Sequence, residues 1–204
     1  MRLILGFTLL LGFVFLLQAF PALADLDTFA GRWWYARSDW LVLFSQLIGL
    51  IGSGVVTLLL AIVLACWFAF AKQDRFAALL IPAGLLGSWG LNYLAKSLIA
   101  RPRPHWEHLM QVDSSSFPSG HAMAALSLGV LLASVLIRHY PRLQLLWLAL
   151  AGIWVLLSGI ARLVLGVHYL TDILAAYLLA GVWCCLLLHW YSRRTAPSGC
   201  CTQS

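Results

Sequence analysis

The sequence predicts an all-α membrane protein, a six-transmembrane-helix bundle. Three observations carry this. Hydrophobic residues make up 62% of the 204 and charged residues only 10%, at a mean hydropathy of +0.91, where a soluble domain carries about 25% charged residues. Apolar runs long enough to cross a bilayer recur six times. The polar residues gather in the breaks between those runs. The size fits one membrane domain, residues 1–192, followed by a short cytoplasmic tail, 193–204. The net charge of +6 calls for no nucleic-acid partner, because basic excess in a membrane protein marks cytoplasmic loops.

The first apolar run is Leu3 to Phe20. Pro21-Ala22-Leu23-Ala24 after it is like a signal-peptide cleavage site. The run is longer than the usual h-region of about 7–15 residues, which favours an uncleaved first span. Asp25 to Trp40 mixes charges with Trp33, Trp34, Tyr35 and Trp40, the composition of a membrane–water interface. Leu41 to Ala71 is too long for one span of about 20 residues. It divides into an interfacial piece to about Leu47 and a second span ending at Phe70. Phe76 to Ala95 is the third span, after the charged turn Lys72-Gln73-Asp74-Arg75. The longest polar segment, Lys96 to Ser119, leads to the fourth span, Ala122 to Ile137. Leu143 to Val164 and Leu170 to Trp190 are the fifth and sixth, and a disordered tail is expected from Tyr191.

An N-terminus inside puts Arg2, Lys72, Arg75, Arg138, Arg142, Arg193 and Arg194 in the cytoplasm. Arg32, Arg37, Lys96, Arg101, Arg103 and Arg162 then lie outside. Three of the outer cations belong to a candidate site, and without them the balance is positive-inside. Of the cysteines, Cys66, Cys184, Cys185, Cys200 and Cys201, none falls in an outer loop, so no structural disulfide is expected.

Ionisable groups at the outer edges of the spans form three clusters. Lys96, Arg101 and Arg103 stand in Lys-Ser-Leu-Ile-Ala-Arg-Pro-Arg-Pro. His121 ends Phe117-Pro118-Ser119-Gly120-His121, where a loop meets an apolar run. A helix start with Ser119 and Gly120 at its mouth offers free N–H groups and the positive dipole end, a ready anion site. A capped turn with a chance histidine is the plainer reading of that segment alone. Arg162, His168 and Asp172 form the third cluster. An Arg within a span costs about 2.5–3.5 kcal/mol on insertion scales and usually serves function. Snorkelling, or a structural pair with Asp172, is the alternative.

Cations facing a helix N-terminus imply an anionic ligand, and Arg matches phosphate oxygens with a planar fork. Asp172 follows His168 by four residues, which on a helix puts both on one face. A carboxylate on one ring nitrogen leaves the other free to attack, and a second imidazole can protonate the leaving oxygen. Such a set performs phosphoryl transfer with no metal and no cofactor. His105, Glu107 and His108 suggest a metal, but an aqueous loop beside headgroups is the reading preferred. Glu107 and Asp113 stand where a polar headgroup could meet them. Asn92 either steadies Lys96 or bonds to another helix. His139 and His189 read as interfacial on the cytoplasmic side.

These residues resemble the type 2 phosphatidic acid phosphatase (PAP2) superfamily of lipid phosphatases and vanadium haloperoxidases. Its three motifs read here as Lys96 to Arg103-Pro104, Pro118-Ser119-Gly120-His121, and Arg162 to His168 to Asp172. The family's Ser before the third-motif Arg is Ala161 here, which removes one hydroxyl contact. The resemblance implies a PAP2/haloperoxidase-like core, with His168 as the nucleophile that becomes a phosphohistidine. It implies Asp172 as that histidine's orienter and His121 as the general acid. Lys96, Arg103, Ser119, Gly120 and Arg162 would hold the phosphate. Arg101 is off the motif spacing and reads as a solvated or headgroup charge.

The resulting expectation is a metal-independent hydrolase of lipid phosphates or diphosphates in a bacterial inner membrane, its site facing the periplasm. Undecaprenyl diphosphate, phosphatidylglycerol phosphate and phosphatidate are the expected substrates. The expected partners are that lipid and the bilayer; no oligomeric state is read from the sequence. A phosphotransferase sharing the phosphohistidine, and a non-enzymatic anion or lipid transporter, are the alternatives.

Overall fold

A computed structural model describes residues 1–195. The first span is a broken rod: α1 (Arg2–Ala19), a tight turn at Phe20–Leu23, and α2 (Ala24–Trp34). α3 (Asp39–Ile51) is too short to span, and α4 (Gly54–Cys66) follows, closing in a π-helical turn at Trp67–Ala71. α5 (Arg75–Ile99), α6 (Gly120–His139), α7 (Gln144–Val164) and α8 (Leu170–Arg194) complete the bundle. Among the described residues six segments are long and apolar enough to cross a membrane: 2–34, 54–71, 75–99, 120–139, 141–164 and 170–194. The chain is an integral, multi-pass membrane protein.

The central helix is α6, which packs against α4, α5, α7 and α8. Leu80, Leu85, Leu131 and Val135 fill one seam, and Ala122, Ala176 and Ala180 another. Lipid is as apolar as leucine, so close approach and interhelical hydrogen bonds drive association in the bilayer. The buried Ser88–Ser127 hydroxyl pair ties α5 to α6 in this way. Outward faces carry large apolar residues such as Leu59, Leu98, Leu145 and Leu156, a pattern inverted from soluble proteins. α1 lies on α8, with Gly6 against Cys185 and Gly12 against Leu178.

The two ends of the bundle differ. At one, Arg2 donates to the Leu188 carbonyl, and Asp74 accepts from Tyr191 at 2.9 Å and pairs with His139 at 3.2 Å. His139, expected at the interface, is half-buried there and stacks on Phe68. At the other end, the start of α6, the end of α7 and the start of α8 meet the 100–119 loop. Leu109 N–H bonds to Leu165 O, and Ser116 N–H to Arg101 O.

Three sequence expectations change. The break in the long second run falls at Gly52-Ser53, where Ser53 caps α4, and not near Leu47. The 25–40 segment is not wholly interfacial: Asp27 is buried within α2. The tail expected from Tyr191 continues as helix to Arg194, because Tyr191 is buried and bonded to Asp74, so the boundary drawn at 192/193 falls inside α8. Cys200 and Cys201 lie outside the described residues, while Cys66, Cys184 and Cys185 are free thiols.

Candidate active site

A cavity of about 240 Å³ opens between the 100–119 loop and the helix ends, and Lys96, Arg103, Gly120, His121, Arg162 and His168 all line it. The two imidazoles, 47 residues apart in sequence, thus share one chamber with three cations.

His168 is not on a helix. It sits in the turn that Gly166, at φ +70°, makes between α7 and α8. Asp172 is the third residue of α8, and its side chain folds back over the helix start, accepting from the Tyr169 N–H at 2.9 Å. That fold-back, and not a shared helix face, brings its Oδ2 to 3.5 Å from His168 Nδ1. The Ser116 hydroxyl donates to the same Oδ2 and lies 3.5 Å from Nδ1. With Nδ1 so engaged, Nε2 is the nitrogen left for chemistry. Burial pushes the His168 pKa down to about 4, although Asp172 pulls it up. The ring is therefore neutral at neutral pH, the form a nucleophile needs.

Arg101 corrects the sequence reading. It is neither a solvated charge nor a headgroup contact. One arm meets Asp172 Oδ1 at 2.6 Å and Thr171 Oγ1 at 2.8 Å; the other meets Asp27 Oδ2 at 2.8 Å. Burial pulls its pKa down, and the two carboxylates more than restore it. The structural pair considered for Arg162 with Asp172 is taken by Arg101 instead.

Arg103 is held by the Val167 carbonyl at 2.6 Å and the Ser114 carbonyl at 2.8 Å, and burial lowers its pKa. Lys96 Nζ rests on the Ser115 carbonyl. Arg162 is 1% exposed, which excludes snorkelling. Among the described residues its Nη1 touches only Met110 Sδ, at 3.1 Å, and Nε and Nη2 have no partner. Buried unpaired guanidinium donors are costly, and an anion in the cavity would satisfy them.

Ser119 is fully buried as the N-cap of α6, accepting from Ala122 N–H, while its own N–H donates to Asp172 O. It therefore shapes the helix start, and Gly120 faces the cavity. The first N–H groups of α6 are those an α-helix leaves without an internal acceptor. Asn92 donates to the Pro118 carbonyl of the loop at 3.0 Å and to Met123 Sδ on α6 at 3.4 Å, so it ties α5 to the start of α6.

α3, expected at the interface up to Leu47, forms a wall of the site with its last turn. A Cβ at Gly49 would lie 2.5 Å from Arg162 Nη2, and one at Gly52 3.5 Å from His121 Cδ2. His121 also lies against the Gly49 carbonyl. Asp27, Ser116 and Gly49 carried no motif signal. The interruption of an apolar run by Gly49, Gly52 and Gly54 was the one available hint.

Four similarities to known proteins bear on this geometry. The chain is 39% identical to phosphatidylglycerophosphatase B of Bacillus subtilis (strain 168) over 90 residues, 43% of this chain and 44% of that protein. The match thus spans less than half of that curated relative. A crystal structure described as the first transmembrane PAP2 type phosphatidylglycerolphosphate phosphatase from Bacillus subtilis superposes with TM-score 0.85 at 28% identity, covering 94% of this chain and 98% of that one. Aquifex aeolicus LpxE superposes with TM-score 0.63 at 25% identity, over 81% of this chain and 94% of that one. The family model described as PAP2 superfamily matches residues 76–196, which include every residue named as lining the cavity. Matched over more than half of its length, this chain belongs to the PAP2 superfamily.

Proposed function

We propose that this protein hydrolyses the phosphate of a membrane lipid through a phosphohistidine on His168, without a metal. The observation that carries the reading is the shared cavity, where two imidazoles face one pocket with three cations. Lys96, Arg103 and Arg162 take the phosphate oxygens, with the backbone at Gly120; Ser119 assists by fixing that helix start. His168 Nε2 attacks phosphorus as the bond to the lipid oxygen breaks, and His121 gives its proton to that oxygen. Water then attacks the phosphohistidine, His121 takes the water's proton, and inorganic phosphate leaves. Among the described residues no three His, Cys, Asp or Glu side chains stand together to hold a metal.

An apolar groove of about 270 Å³ supports a lipid substrate. It runs between α4, α6 and α7 from Ile51 and Trp154 to Leu136 and Trp147. Its upper end lies beside His121, since a Cβ at Gly52 would reach both His121 and Trp154. A hydrocarbon chain in the groove leaves the headgroup at the cavity; Glu107 and Asp113 line a neighbouring open pocket that shares Met110, Gln111 and Val112 with it. Similarity to phosphatidylglycerophosphatase B and to the Bacillus subtilis phosphatidylglycerolphosphate phosphatase favours phosphatidylglycerol phosphate first, with phosphatidate and undecaprenyl diphosphate next. The site faces the periplasmic side of a bacterial inner membrane.

Phosphate release from these three lipids in detergent with EDTA tests the reading. It predicts free phosphate, lost in His168→Ala and strongly reduced in His121→Ala. Activity abolished by EDTA and restored by a divalent cation, or phosphate passed wholly to another lipid, would overturn it.

A further inference from the structure

We propose that Asp27 and Arg101 are positioning residues for the nucleophile, through a carboxylate–guanidinium–carboxylate relay that runs from α2 to Asp172. This rests on the reading of His168 as the attacking group. Asp27 lies outside the 76–196 stretch that the family match covers. It is nonetheless 1% exposed, and both its oxygens are engaged. Oδ1 accepts the Thr171 N–H at 2.9 Å, and Oδ2 accepts the Thr171 hydroxyl at 2.6 Å and Arg101 Nη2 at 2.8 Å. The guanidinium carbon lies 4.7 Å from the Phe20 ring centroid and 4.1 Å from that of Tyr169, which fixes its plane. Its other arm ends on Asp172 Oδ1.

Each contact has a consequence for His168. The Oδ2 of Asp172 already serves Tyr169 N–H, Ser116 and the imidazole. Arg101 on Oδ1 stops the carboxylate from turning about its own axis. A guanidinium serving Asp172 alone would draw the whole charge of that carboxylate to itself and weaken its hold on Nδ1. Asp27 takes a share of the cation, so Asp172 is oriented and still able to accept the imidazole proton. Only a planar fork reaches both carboxylates, which a lysine point charge cannot do. The broken first span, with its turn at Phe20–Leu23, thus places a side chain behind the reacting histidine.

The test uses the detergent-purified full chain and a short-chain phosphatidate, with kcat referred to folded, monodisperse protein. Asp27→Asn is nearly isosteric. We expect its kcat to fall about tenfold with KM within about twofold, the pattern for a group felt only in the transition state. Arg101→Lys falls at least as far, and the double variant no further, because one link is broken twice. Arg103→Lys instead raises KM. A kcat within about twofold of the parent in Asp27→Asn would overturn the relay. Single losses that multiply in the double variant would overturn it too. So would a loss confined to unfolding temperature, the mark of a brace between α2 and α8. A His168→Ala that keeps its activity removes the phosphohistidine reading itself. A dead His168→Ala beside an unaffected Asp27→Asn removes the relay alone.

Discussion

Gly49→Ala puts the shortest side chain into the wall that α3 gives the site. The new Cβ would lie 2.5 Å from Arg162 Nη2 and 3.4 Å from its Cζ and Nη1. Ordinary contact begins near 3.5 Å, so the guanidinium must retreat by about 1 Å. Met110 Sδ already stands 3.1 Å from Nη1, so the retreat is into the cavity, where the phosphate should bind. A misplacement of about 1 Å in a group that positions substrate can cost on the order of 100-fold, or about 2.7 kcal/mol of transition-state stabilisation. The fold should hardly notice, because the Cβ meets the end of a flexible side chain. Steady-state phosphate release from a lipid phosphate, beside thermal unfolding in the same detergent, reads both quantities. Gly152→Ala on α7 is the control, since its Cβ meets nothing within 4 Å. A Gly49→Ala enzyme within about twofold of the parent kcat would refute the placement of Arg162 as a phosphate clamp.

Other predictions rest on single features. Arg162→Met removes two buried donors without partners. It should unfold at a higher temperature than the parent while losing activity, and inorganic phosphate should stabilise only the parent. His168 should titrate near pH 4, followed by NMR on histidine-labelled protein with His168→Ala as the assignment control. Its folded pKa is depressed below the unfolded 6.5, so the unfolded chain binds this proton more readily. The stability tied to it is complete above pH 6.5 and drains as pH falls toward 4, which thermal unfolding across that window checks. Asp74→Ala removes the α5 cap together with the Tyr191 and His139 contacts at the opposite end. It should lower the unfolding temperature, by about 1 kcal/mol from the cap alone, and leave kcat unchanged.

The spans were legible because apolar length is a one-dimensional property, and so were the cations that line the cavity, which stand out against greasy surroundings. His121, His168, Lys96, Arg103 and Arg162 meet where their motifs put them. What escaped was decided by the third dimension. Arg101 and Arg103 sit in a repeated Arg-Pro, and only the path of the loop determines which one meets a carboxylate and which one the cavity. Asp27 looked interfacial because aromatic residues surround it in sequence, yet it is packed against the start of α8. The end of α3 reads in sequence as part of the next span, although its glycines let a buried arginine and an imidazole come close. The His168–Asp172 pairing was anticipated for the wrong reason: the contact is a helix-cap fold-back, available only because α8 begins at Leu170.

The most direct measurement is acid-free, alkaline quenching of the enzyme during turnover of a lipid labelled at phosphorus, with the labelled residue located by mass spectrometry. A phosphoramidate on His168, absent in His168→Ala and formed with EDTA present, is the predicted result. Turnover with no covalent phosphate on the protein, or with the label on any other residue, would contradict the account.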